Sequence, residues 1–138
     1  MRVVIAFAAA AALAAISSPV VAQKNSRQAR GEQALAKILA GRVAGKPVNC
    51  ISLNRIQSTE IIDGTAIVYR ESSRRLFVNR TLGGQNILDR DAIMVTRTFG
   101  TQLCRLDTVR LVDRGSRIPR GTVGLGDFVP YTRPAPAR

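Results

Sequence analysis

The stretch EIIDGTAIVYR, Glu60 to Arg70, decides how the rest of the chain is read. Two runs rich in β-branched residues, Ile56 to Ile62 and Thr65 to Glu71, flank Asp63-Gly64. That dipeptide favours a two-residue hairpin loop because both loop positions need positive φ. The pattern predicts an antiparallel hairpin, and the chain beyond it keeps the same period. Ser72-Ser73 turns into RLFVN, Arg75 to Asn79. After the loop TLGGQNILDRD, Ala92 to Phe99 reads as a strand, Gly100 turns it, and Leu103 to Val112 returns with a break near Asp107. Asp127 to Tyr131 is expected to pair or pack against the sheet, anchored by Phe128 and Tyr131. The expected fold is mainly β (α+β), a small twisted antiparallel sheet or barrel of about five to six strands with one N-terminal helix.

The helix is read from NSRQARGEQALAKILAG, Asn25 to Gly41, where Ala34, Leu35, Ile38 and Leu39 form one apolar stripe. Asn25 or Ser26 can cap its start and Gly41 can end it. Gly31 weakens the first turn, so the expected span is from about Gln28 or Glu32 to Ala40, with Pro47 blocking continuation. Further upstream, Arg2, the apolar run Val3 to Ile16, and Ser17-Ser18-Pro19 have the order of a secretory signal peptide. Val20 and Ala22 suit signal peptidase, so cleavage is expected after Ala22, and the apolar run is shorter than the roughly 20 residues of a membrane span. The expected organisation is a signal peptide at 1–22, a helical segment at 23–46, an antiparallel β domain at 47–131 and a disordered Pro/Ala/Arg tail at 132–138. The destination is periplasmic or secreted.

In an oxidising compartment the only two cysteines, Cys50 and Cys104, would pair; buried free thiols are the alternative. A bridge closing 54 residues of chain contributes about 4 kcal/mol in the chain-entropy model.

The chain has 21 Lys and Arg against 9 Asp and Glu, a net charge of +12, and it contains no histidine. Such a charge attracts polyanions at low salt. The arginines are dispersed, with no basic tract interleaved with aromatics, so no specific nucleic-acid surface is expected. Anionic envelope components are the partners the charge admits, through a hairpin edge carrying Arg70, Arg74, Arg75 and Arg80.

Without histidine, Ser-His-Asp and Cys-His catalysis are excluded. No metal site or cofactor is expected: the cysteines lack ligand spacing, and apolar Ala92 to Val95 follow the loop aspartates Asp89 and Asp91 where a calcium loop would carry oxygen ligands. A carboxylate-dependent hydrolase would have to draw on Glu60, Glu71, Asp107 and Asp127, whose spacing selects no pair. The glycines of GTVGLGDFVPYTRPAPAR, Gly121 to Arg138, lack both the following helix and the lysine of a phosphate loop. They are read instead as a tight turn or a close backbone passage over the sheet.

In order and spacing, VNCI, EIIDGTAIVYR, RLFVNRTLGG, LCRLD, VRLVD and GLGDFVPY resemble a family of small exported bacterial proteins of undefined function, over about Val48 to Tyr131. The family pattern carries two further cysteines, at positions matching Gln85 or Asn86 and Val123. Their joint loss here implies that they bond to each other, and so supports Cys50 with Cys104. The resemblance also puts the anchoring of the C-terminal stretch in question. The expectation is a non-catalytic envelope or secreted module, with polyanion or lipid-headgroup binding as the alternative.

Overall fold

The computed structural model describes residues 19–135, with side chains from residue 26. Helix α1 (Pro19–Leu39) precedes ten strands: β1 (Val43–Ala44), β2 (Cys50–Ser52), β3 (Ser58–Ile62), β4 (Ala66–Arg70), β5 (Arg75–Asn79), β6 (Ala92–Thr96), β7 (Gln102–Cys104), β8 (Thr108–Asp113), β9 (Pro119–Gly124) and β10 (Phe128–Thr132). The strands pair antiparallel in three open sheets: β1-β10-β5-β4-β3, β2-β7 and β6-β8-β9. The fold is thus mainly β, with one helix and a five-stranded sheet as its largest layer. Three strands carry no usable signal in the sequence. β1 and β2 are too short to show a period, and β9 reads PRGTVG, poor in strand formers.

The Glu60–Arg70 hairpin forms, with a loop one residue longer than its dipeptide suggests. Ile62 pairs with Ala66, so Asp63, Gly64 and Thr65 make the loop. Gly64 takes φ +62, and the Thr65 hydroxyl donates to the Asp63 carbonyl at 3.0 Å. Three-residue loops of this kind place a left-handed residue where glycine is favoured.

β4 and β5 are buried on both faces and build two cores. Ala66, Val68, Leu76 and Val78 point to one face, where Leu35 of α1 meets them with Ala34, Ile38 and Leu39 alongside. Ile67, Tyr69 and Phe77 point to the other, against Leu103, Val109, Leu111 and Val123 of the smaller sheets. Period-two alternation therefore divides one hairpin between a helix layer and a sheet layer.

Among the described residues α1 spans Pro19–Leu39, reaching upstream of the apolar stripe and running through Gly31 to the expected stop, with Gly41 at φ +70 just beyond. Gly31 is buried. An ideal Cβ there would lie 2.0 Å from Thr65 Oγ1 and 2.4 Å from the Asp63 carbonyl oxygen. A residue that weakens a helix in isolation is thus required where α1 crosses the hairpin loop. Gly31→Val should cost about 1–3 kcal/mol by overpacking. Chemical denaturation checks it, and a change below about 0.5 kcal/mol would mean the crossing is loose. The leader expected at 1–22 lies outside the described residues up to 18; residues 19–22 are helical, within α1.

Cys50 and Cys104 are bonded and sit directly opposite each other in the β2–β7 pair. A two-stranded ribbon of three residues per strand is marginal alone. The bridge fixes it, and a structural disulfide suggests an oxidising, extracytoplasmic environment. The break expected near Asp107 is present: the Asp107 carboxylate accepts from the Cys104 N–H at 2.7 Å, turning β7 into β8.

The C-terminal stretch lies inside the large sheet, with β10 between β1 and β5. Buried Asn79 holds its approach through both amide atoms: Nδ2 donates to the Gly126 carbonyl at 2.8 Å and Oδ1 accepts from the Gly126 N–H at 3.0 Å. A Cβ on Gly126 would stand 2.3 Å from the Arg80 carbonyl oxygen. Close backbone passage is therefore what this glycine provides. Val123 is fully buried, and the turn at Gly84 passes so close that a Cβ there would lie 2.8 Å from Val123 Cγ1. Packing and the Asn79 clamp hold this end. β10 extends through Thr132, and the Arg133 N–H donates to the Arg74 carbonyl at 2.8 Å, so order reaches into the segment expected as tail; residues 136–138 lie outside the described residues.

Candidate functional site

The turn between β4 and β5 gathers cations from four parts of the chain. Ser72 builds the turn, its Oγ accepting from the N–H groups of Arg74 at 3.3 Å and Arg75 at 3.0 Å. Arg42, just past the glycine that ends α1, donates to the carbonyls of Arg74 at 2.8 Å and Ser73 at 3.0 Å. Arg133 arrives from the end of β10. Arg55 pairs with Glu71 at 2.9 Å and Arg70 with Glu60 at 2.9 Å. Arg75 lies 3.4 Å from Glu71 and stacks over the Phe77 ring at 5.1 Å. Six arginines, Arg42, Arg55, Arg70, Arg74, Arg75 and Arg133, thus surround two carboxylates, Glu60 and Glu71.

The excess of like charge has an electrostatic effect. Partial burial holds the Arg42 guanidinium below its usual pKa, and repulsion from Arg133 and Arg70 adds to this. The side chains of Arg74 and Arg133 have no ion-pair partner among the described residues and are exposed. Exposed guanidinium groups without an ion-pair partner offer fork-shaped donors to phosphate, sulfate or carboxylate oxygens.

Of the four arginines expected on the hairpin edge, Arg70, Arg74 and Arg75 meet at this turn. Arg80 follows the other end of β5, about 17 Å away by strand rise. There it donates to Glu32 of α1 through both terminal nitrogens, Nη1 at 2.6 Å and Nη2 at 2.9 Å. That hydrogen bonding holds the Glu32 carboxyl below its usual range. Arg42, Arg55 and Arg133 were not legible as partners, because they lie 31, 16 and 59 positions from Arg74's neighbourhood at Ser73, Glu71 and Arg74. Only the tertiary fold joins them.

The carboxylates considered for hydrolysis are each engaged separately. Glu60 binds Arg70, Glu71 binds Arg55, Asp127 lies 3.3 Å from Arg105, and Asp107 caps the β7–β8 turn. Glu60 lines a cleft beneath α1 and Asp107 a shallow one beside the disulfide, whereas Glu71 and Asp127 line neither. Asp89 belongs to a network: Arg120 bridges it to Asp113, and Arg27 of α1 lies 3.6 Å away. Hydrogen bonds from the Asp91 N–H, and then from Arg120, hold Asp89 below its usual pKa. Asp113 is held down first by the Ser116 N–H and then by Arg120. The exposed Asp91 contributes its N–H to this arrangement. Among the described residues, no three Asp, Glu, Cys or His side chains gather so as to hold a metal ion, and no helix is long and apolar enough to cross a membrane.

Comparison with protein-family models, with curated proteins and with solved structures finds no match.

Proposed function

We propose that this is a non-catalytic exported module whose arginine cluster at the β4–β5 turn holds anionic envelope polymers or lipid headgroups. The observation that carries the reading is the convergence of six arginines on one turn against two carboxylates, with the exposed guanidinium groups of Arg74 and Arg133 unpaired among the described residues. The disulfide supports an extracytoplasmic setting, and the signal peptide at 1–22 with cleavage after Ala22 belongs to the same proposal. So does membership in the family of small exported proteins that the motif order resembles. The separate engagement of Glu60, Glu71, Asp107 and Asp127 supports a non-catalytic role over a carboxylate-dependent one.

The test is binding to phosphatidylglycerol vesicles and to a soluble polyanion, dextran sulfate, against phosphatidylcholine vesicles, titrated with salt. The logarithm of affinity should fall linearly with log salt, and Arg74→Glu with Arg133→Glu should weaken binding about tenfold or more. Arg80→Gln, at the far end of β5, should leave it unchanged. Binding that is insensitive to salt, or to the Arg74 and Arg133 changes, would remove the proposal. Preference between the two probes distinguishes a lipid from a polymer source.

A further inference from the structure

A second surface, apart from the arginine cluster, carries a different ligand chemistry. Between α1, the β3 end of the hairpin, β6 and the β8–β9 turn lies an open cleft of about 880 Å³. That is within the roughly 300–1,000 Å³ range of small-molecule sites. Its floor is apolar: Ile61 and Ala92 are buried and Met94 is half-buried, while Ile93, also in the lining, alternates to the exposed face of β6. The rim is cationic. Arg27 and Arg90 are already engaged, Arg27 with the Leu88 carbonyl at 2.7 Å and Arg90 with Asp63 at 2.9 Å. The two carboxylates on the rim, Glu60 and Asp63, are likewise taken by Arg70 and Arg90. Arg30 on α1 and Arg114 in the β8–β9 turn remain, both exposed and without an ion-pair partner among the described residues.

An apolar floor between two unspent guanidinium groups selects for a ligand with both characters. Apolar surface alone would suit any hydrocarbon, and arginine alone any anion. We infer that this cleft binds a single-chain anionic amphiphile, with its carboxylate or phosphate head at Arg30 and Arg114 and its hydrocarbon chain along Ile61, Ala92 and Met94. Charge-assisted hydrogen bonds place the head, and removal of apolar surface from water holds the chain. The site shares Glu60 with the β4–β5 cluster but uses different guanidinium groups.

Met94 supplies a direct reporter, since the chain has only two methionines, Met1 and Met94. In protein labelled at the methionine methyl, dodecanoate and dodecyl phosphate, each kept below its micelle concentration, should shift the Met94 resonance saturably. Dodecyltrimethylammonium, with the same chain and opposite charge, should not. Arg30→Gln with Arg114→Gln should weaken the anionic ligands about tenfold or more, and both sites are exposed, so the fold should stay intact. The Arg74 and Arg133 variant should bind dodecanoate normally, which separates failure of this site from failure of the cluster. Tighter dodecanoate would assign a free fatty acid and tighter dodecyl phosphate a lysophospholipid head, and either supports the inference. An equal shift from the cationic chain, unchanged affinity in the double variant, or no Met94 shift would overturn it.

Discussion

Phe128→Ala is expected to destabilise the domain by about 3–5 kcal/mol, the usual range for emptying a buried aromatic site. Phe128 is fully buried at the start of β10, its ring 5.6 Å from that of Tyr69 in an edge-on arrangement. Both partners sit in the core between the large sheet and the two smaller ones. Its backbone also pairs with Val48 on one side and with Asn79 on the other. A cavity there loosens an interior strand of the large sheet and the sheet-to-sheet packing together. In a domain of this size the Tm should fall by roughly 10 °C or more. Phe99→Ala is the internal control, because Phe99 is fully exposed and should change stability by no more than about 0.5 kcal/mol. Similar losses in the two variants would show that β10 does not organise the core.

Removing the Cys50–Cys104 bridge, by reduction or by serine at both positions, is expected to cost about 4 kcal/mol for a closed loop of 54 residues. The loss should appear first where the bridge is the main constraint. Amide exchange at Ile51 and Leu103, which face each other next to the cysteines, should accelerate more than exchange at Ile67. Non-reduced protein should yield a cross-linked peptide pair and a mass two hydrogens below the reduced form. Equal stability with and without reductant would refute the structural role.

The hairpin of Glu60 to Arg70 was legible because its signals are local: alternating β-branched residues and one turn dipeptide. Strand β5, Arg75–Asn79, was legible for the same reason. The division of the later strands between two smaller sheets was not, since strand order depends on contacts between residues far apart in sequence. Gly31 is the clearest case of opposite readings. Locally it weakens a helix, yet the hairpin loop 32 to 34 positions away leaves no room for any side chain there. For the candidate site, Arg70, Arg74 and Arg75 could be grouped from one turn. Arg80, five positions beyond Arg75, faces away to Glu32. Proximity in sequence along a strand is separation in space, because each residue advances the chain by about 3.4 Å.

By itself the sequence determined the local matters: an N-terminal helix with one apolar stripe, a tight hairpin, two cysteines able to pair, a strong basic balance, and the absence of histidine chemistry. Each follows from residue type and short-range spacing, which act before the chain is compact. Only the tertiary structure decided that GLGDFVPY becomes an interior strand of the largest sheet, that Asn79 grips Gly126, and that Arg42 and Arg133 join the β4–β5 turn. Those outcomes rest on burial and on pairing backbone groups that sequence leaves unassigned. A buried donor or acceptor must find a partner wherever the fold brings one, and apolar faces must be covered by whichever element is near.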